Sequence, residues 1–270
     1  MPLGSAAIDE VCTDEDWLMG WALRFHGVGN SSAVELGSAM ATIERDGLPW
    51  LTIDCGGEGL TAYLAHYREY PEALFITHAH LDHVSGFERL FGASYFATPR
   101  PAPTRLYVPA PLVPLLHQRI AGYPNVVAEG GANFWDAFQL VPVGDAFWHD
   151  GVRMETFPVR HHWPETAFGL RLRGSVVWTG DTRPIPEQLA KHADANELVA
   201  HDCALHGNPS HSGIDDLQRE YPDELLNRCV LYHYASAADA KVLADRGCRI
   251  ASPGELLVLS DPLVLTAVHP

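Results

Sequence analysis

Short apolar runs, broken by Gly, Asn, Ser and Pro, follow one another along this chain, and their period changes from segment to segment. W-A-L-R-F-H (21–26), A-M-A-T-I-E-R (39–45) and W-L-T-I-D-C-G (50–56) have the length and residue types of strands. From Leu60 to Glu69 the spacing becomes helical, and A-L-F-I-T (73–77) reads as a short buried strand. V-S-G-F-E-R-L-F (84–91) predicts a helix, T-P-R-P-A-P-T-R (98–105) an extended proline-rich connector, and P-L-V-P-L-L-H-Q-R-I (111–120) a further helix. Strands dominate from Asp136: A-F-Q-L-V-P-V, V-R-M-E-T-F-P-V, G-L-R-L and S-V-V-W-T. The last third alternates helix (186–192), strand E-L-V-A-H-D, helix (214–220), strand C-V-L-Y-H and helix (235–246). Many short strands with helices in both halves predict an α+β fold of two packed sheets covered by helices.

Composition sets the bounds. The chain has 270 residues, 47% of them hydrophobic, enough for one large core. Residues 1–20 read as an acidic arm that can pack on a second copy, making a homo-oligomer possible, and residues 21–270 as one domain. No run approaches the length of a membrane span, the N-terminus lacks a basic start followed by an apolar core, and the five cysteines form no C-x-x-C; a reduced, cytoplasmic protein is expected. The net charge of −16 opposes a long polyanion, although Arg100 with Arg105, or Arg171, Arg173 and Arg183, have the potential to cluster. A small-molecule substrate is expected, with neither long nucleic acid nor membrane as partner.

The chemistry concentrates in H-A-H-L-D-H, which supplies His78, His80, Asp82 and His83 directly after the 73–77 strand. In extended backbone, residues i and i+2 share a side, so His78 and His80 can hold one ion while Asp82 and His83, past the strand end, face a second. Imidazole and carboxylate are the usual ligands of zinc and similar ions. The same placement returns at other strand exits: His161 and His162 after F-P-V-R, Asp181 after V-V-W-T-G, and His233 after C-V-L-Y. A single His or Asp at a strand end is more often a cap, but a carboxylate such as Asp181 is able to bridge two cations.

H-x-H-x-D-H, a strand-end His, G-D-T and a second strand-end His together resemble the metallo-β-lactamase superfamily, and more finely its phosphodiesterase branch of RNase Z and cyclic-phosphate phosphodiesterases. The resemblance covers roughly residues 21–260. It implies an αββα sandwich with two divalent ions, zinc foremost and manganese or iron as alternatives. It assigns His78, His80 and His161 to one ion, Asp82, His83 and His233 to the other, and Asp181 to both. The order F-P-V-R-H selects His161, while the distance to A-F-G favours its neighbour His162. A-H-D-C-A-L-H-G-N-P-S-H-S-G (200–213) resembles the branch's acid-then-histidine element, with His211 as proton donor and Asp202 as its orienting carboxylate; Asp82 joins these two in the catalytic set. His201 and His206 read as polar caps of a surface loop.

The departures are informative. Only 20 positions separate His161 from Asp181, so the arm with which RNase Z grips tRNA has no room; no cysteine-held zinc is possible in G-V-G-N-S-S-A-V-E-L-G. There is no G-x-S-x-G and no G-x-x-x-x-G-K. The expected activity is hydrolysis of a small phosphodiester or cyclic phosphate, with lactone or thioester hydrolysis at the same site as the alternative. The loops 92–111 and 144–151 are expected to shape the pocket. Trp17, Trp21, Trp135, Trp148 and Trp163 read as core or interface residues, with Trp163 placed to wall the substrate.

Overall fold

The computed structural model describes residues 19–122, 126–128 and 132–263. The arm expected at 1–20, with Trp17, lies almost wholly outside the described residues. A seven-stranded sheet has the order β15-β1-β2-β3-β4-β5-β8. Its strands are β1 (Trp21–Gly27), β2 (Met40–Arg45), β3 (Leu48–Ile53), β4 (Ala73–Phe75), β5 (Thr104–Pro109), β8 (Phe138–Val143) and β15 (Leu256–Val258). A six-stranded sheet, β14-β13-β12-β11-β10-β9, faces it. It comprises β9 (Ala146–His149), β10 (Val152–Pro158), β11 (Phe168–Leu172), β12 (Val176–Trp178), β13 (Leu198–Asp202) and β14 (Cys229–Tyr232). The short β6 (Val126–Ala128) and β7 (Ala132–Asn133) pair by themselves.

Both sheets are mixed, and mixed in the same way. In the first, β15, β1, β2 and β3 run antiparallel and β3, β4, β5 and β8 parallel. In the second, β9 to β12 run antiparallel and β12, β13 and β14 parallel. Alternation of apolar and polar residues in β1 and β10 puts one face of each strand inward, as the sequence period requires. Phe25, Phe75, Trp178 and Tyr232 fill the space between, with Trp178 stacked on Tyr232 at 4.2 Å.

Helices cover the outer faces. They are α1 (Gly57–Tyr67), α2 (Leu81–Val84), α3 (Phe87–Tyr95), α4 (Val113–Leu116), α5 (Pro186–His192), α6 (Ile214–Glu220), α7 (Asp223–Leu226) and α8 (Ala237–Asp245). Leu60, Tyr63, Leu64 and Tyr67 give α1 an apolar stripe at helical spacing that packs on β1 and β2. The helix expected at 84–91 is divided at Ser85–Gly86: Gly86 lies against Cys55, where an added Cβ would come within 2.8 Å of the Cys55 carbonyl oxygen.

Two expectations are corrected. The 92–111 stretch is not a pocket loop, because β5 within it is a central strand with Leu106 and Val108 fully buried; prolines at both ends hid it. Likewise 144–151 carries edge strand β9, none of whose residues joins the ligand cluster or the cavity beside it, and His149 there bonds the Trp50 carbonyl at 2.8 Å. Of the arginines expected to cluster, Arg105, Arg171 and Arg173 are paired with acids, while Arg183 lines a pocket with Arg160, Arg219 and His211. Arg171 is buried against Glu197 and Glu155, Arg173 bonds Asp194, and Arg105 bonds Asp150.

The core also holds an ionisable group in a fixed state. His26 is buried 2.8 Å from the Thr42 hydroxyl, and burial, with the charge of Arg24, lowers its pKa from 6.5 to about 3. Between these values the unfolded chain binds a proton that the folded chain refuses, so stability falls as pH drops through the window. We expect His26→Gln, which keeps a partner for Thr42, to make the acid-side decline shallower by about 1.4 kcal/mol per pH unit. Urea unfolding between pH 7 and 4.5 reads this slope, and an unchanged slope would contradict it.

Candidate metal centre

The parallel strands of both sheets end at one edge, where ligands of such sheets collect. β4 delivers His78 and His80, with Asp82 and His83 in the turn of α2; β10 leads to His161, β12 to Asp181, β13 to Asp202 and β14 to His233. Backbone bonds hold the two sheets together at this edge. Phe168 N–H donates to the Thr77 carbonyl at 2.9 Å, and His233 N–H to the Val28 carbonyl at 2.6 Å. Gly180 is required here: its φ is +64°, and an added Cβ would press to 3.0 Å of the Phe168 carbonyl and 3.2 Å of Thr77 Cβ.

His78, His80, His161 and Asp181 converge in one group, and Asp82, His83, Asp181 and His233 in another, with the ligand atoms of each group within 4.8 Å of one another. Asp181 Oδ2 lies 3.2 Å from His83 Nε2, 3.2 Å from His233 Nε2, 3.6 Å from His78 Nε2 and 3.9 Å from His161 Nε2. His162 is left out: its ring turns to the Thr166 hydroxyl on an exposed loop. A third group joins the second through His233. Asp202 accepts from His211 Nδ1 at 2.9 Å and lies 3.3 Å from His233 Nδ1.

The remote nitrogens explain why the near ones point inward. His83 Nδ1 is held by Asp54 at 2.8 Å, His161 Nδ1 donates to the Ser210 carbonyl at 3.0 Å, and His78 Nδ1 lies 3.1 Å from the Thr77 hydroxyl. Each anchor fixes a ring and a tautomer, leaving Nε2 as a lone pair. Asp54 is the residue that sequence reasoning missed. Its signal was a carboxylate at a strand exit in L-T-I-D-C-G, read there only as part of a first strand. It sits at φ +64°, fully buried, and also accepts from Thr77 N–H at 2.8 Å. His201 is corrected as well. It is no surface cap but a buried ring on β13, bonded to the Asp202 carbonyl and, at 2.8 Å, to the Tyr221 hydroxyl.

Charge decides what fits. His78 Nε2, His83 Nε2, His233 Nε2 and both oxygens of Asp181 are buried without a hydrogen-bond partner. Orphans of this kind cost several kcal/mol each when left unmatched, so a matching group is required. Burial keeps His78 far below the usual imidazole range and lowers His161 to about 4, so both rings offer lone pairs. Burial opposes charge on His233 too, but Asp181 and Asp202 outweigh it and raise its pKa to about 10; Asp181 itself is held far below the carboxylate range by His233, His83 and His78 against the opposing effect of its burial. An imidazole and carboxylate set that draws positive charge inward, onto His83 and His233 in the absence of an ion, suits a divalent cation, and its two groups sharing Asp181 are consistent with two ions.

Two mixed sheets flanked by helices, with this cluster at their shared edge, define the metallo-β-lactamase fold and a metal-dependent hydrolase. Within that class the chain belongs to the anti-Pycsar protein Apyc1 family, whose sequence profile matches residues 21–257. Anti-Pycsar protein Apyc1 of Saccharibacillus brassicae is 31% identical over 226 residues, covering 79% of this chain and 89% of that protein. A crystal structure of a diphosphatase from the PhnP family superposes with a TM-score of 0.74 at 17% identity, covering 90% of this chain and 99% of that one. Human tRNase Z, short form, gives a TM-score of 0.61 at 17% identity, covering 90% and 100%. The last two share the fold; the family narrows the branch-level resemblance. No helix among the described residues is long and apolar enough to cross a membrane.

Removing the anchor should loosen one ion selectively. We expect titration of metal-free protein to approach two equivalents of zinc, and Asp54→Asn to weaken one of them by about 10- to 100-fold. Competition against a chelator measures both. A plateau at one equivalent, or unchanged affinity in the variant, would count against the two-ion arrangement or the anchoring role respectively.

Proposed function

We propose that this protein is a dinuclear metal-dependent phosphodiesterase that opens a small cyclic phosphodiester, a cyclic nucleotide being the substrate class that membership of the Apyc1 family suggests. His78, His80 and His161 would hold one ion and Asp82, His83 and His233 the other, with Asp181 available to both. Bound there, two divalent ions lower the pKa of water towards neutrality and neutralise charge on phosphoryl oxygens.

The observation that carries the reading is the Asp202–His211 pair. His211 is part-buried, its Nδ1 bonded to Asp202 at 2.9 Å, its ring 4.8 Å from that of His161 and stacked 4.9 Å from that of His233. Nε2 is therefore free to face the reacting group. Burial works against a charged ring here, and the hydrogen bond and charge of Asp202, with Asp181 behind, outweigh it and raise the pKa of His211. A proton is thus held where an alkoxide must leave. Water adds to phosphorus, the ester P–O bond breaks, and Nε2–H of His211 protonates the departing oxygen. Asp82, whose side chain keeps 15% of its surface open where that of Asp181 keeps 1%, is the carboxylate placed to accept the water's proton. The product is a linear phosphomonoester.

Carbonyl substrates with good leaving groups need no such acid, so the pair favours phosphodiester over lactone or thioester chemistry. Long RNA fits poorly: the net charge is −16, and β11 and the turn into β12 occupy the span between His161 and Asp181. The test is leaving-group dependence. His211→Ala should lower hydrolysis of a 3′,5′-cyclic nucleotide by about 10²- to 10⁴-fold while largely sparing bis(p-nitrophenyl) phosphate, whose leaving group needs no proton. Metal content should not change. Equal losses on both substrates would remove the acid role, and a lost ion would make His211 a ligand instead.

A further inference from the structure

Beside the metal cluster lies a cavity of about 570 Å³ that the chemistry above does not use. His80 belongs to both, so whatever fills the cavity is adjacent to a phosphate held at the cluster. One wall is the loop after β10, where Trp163 is 81% exposed beside His162. The other wall is α4, carrying Leu115, and the turn of helix that follows it, carrying Gln118 and Arg119. Both walls are tied down. The Thr166 hydroxyl donates to the Trp163 carbonyl and contacts His162 Nδ1, and Arg119 Nε donates to the Ala79 carbonyl at 3.2 Å, between the two cluster histidines that follow β4.

An indole is the largest apolar side chain, and leaving it in water forgoes a large burial gain. Trp21, by contrast, packs on Trp50 at 4.8 Å and is 9% exposed. Trp163 has its carbonyl held by Thr166, lines a cavity large enough for a nucleotide and packs on no other ring among the described residues. Leu115, 38% exposed, offers a second apolar surface, while the Gln118 amide supplies one donor group and one acceptor. Arg119 keeps its terminal N–H groups, with no carboxylate partner among the described residues. Apolar walls with a few edge-reading polar groups match a flat heteroaromatic ring.

We infer that this cavity is the recognition subsite for the substrate's base and that Trp163 is its stacking platform, a specificity-determining residue. The identification of the ring as a nucleobase rests on the cyclic-nucleotide reading. Base–aromatic stacking is sequence-tolerant because every base has a π face, so the platform selects for the presence of a base more than for its identity.

The test compares metal-loaded wild type, Trp163→Ala and Trp163→Phe by calorimetry with adenosine 5′-monophosphate and with ribose 5-phosphate, which lacks the base. In wild type the base should tighten binding by about 10- to 100-fold. Trp163→Ala should lose most of that increment, Trp163→Phe should keep most of it, and ribose 5-phosphate should bind all three alike. With a 3′,5′-cyclic nucleotide, Trp163→Ala should raise KM by a similar factor and leave kcat nearly unchanged. No base-dependent increment in wild type, or an increment that survives in Trp163→Ala, would overturn the subsite. The two readings separate cleanly. A base increment lost in Trp163→Ala, without any turnover of cyclic nucleotides, keeps the platform and removes the substrate. Turnover with a KM indifferent to Trp163 does the reverse.

Discussion

Asp181 is the constraint around which the rest is built. Its carboxylate is 1% exposed, its pKa lies far below the ordinary range, and neither oxygen has a hydrogen-bond donor. A charge so placed costs far more than a folded domain can spare unless positive charge meets it from several sides. Four imidazoles lie within 3.9 Å of it, His83 and His233 drawn towards the charged form, and they sit in α2 or just past the ends of β4, β10 and β14. None of these elements is free to slip relative to the others without stranding Asp181. The sheets are consequently locked in register at the edge where the catalytic groups collect, and the open half of the groove inherits a rigid frame.

Rigidity of that kind requires unusual backbone. His233 at φ +72° and Asp54 at φ +64° are non-glycine residues in left-handed conformation, each at a strand exit and each pinned by a short backbone bond, His233 N–H to Val28 and Asp54 N–H to Phe75. The strain turns each side chain away from the strand direction and into the centre. Gly56 does the complementary work below. An added Cβ there would lie 2.1 Å from the Asp82 carbonyl oxygen, so the absence of a side chain lets α1 and the Asp82 turn close on one another.

Much of this was legible in the chain because the fold places chemistry at strand ends, where a polar residue after an apolar run is visible. H-A-H-L-D-H, T-G-D and Y-H are such junctions, and the structure gathers their residues at one edge. Legibility failed where burial hid behind punctuation: β5 lies between prolines, and β9 follows a glycine and an aspartate. It failed again for Asp54 and His201, whose roles depend on contacts across the fold to His83 and Tyr221 that no local pattern carries. The choice between adjacent His161 and His162 was equally non-local. The Ser210 carbonyl holds the first ring toward the cluster, while Thr166 draws the second outward.

Asp202 ties His211, the proposed acid, to the ligand cluster and limits how either is tuned. One oxygen lies 3.3 Å from His233 Nδ1; the other accepts from His211 at 2.9 Å and from Thr182 N–H at 2.8 Å. Its burial opposes the charge, but the charge of His233 and the bond from His211 keep it ionised. Because one carboxylate lies against both His233 of the ligand cluster and His211, the proposed proton donor, its loss should disturb both together. The proposed proton donation can be separated from the ligand cluster at His211, which touches Asp202 from the open side and closes none of the bonds between the sheets.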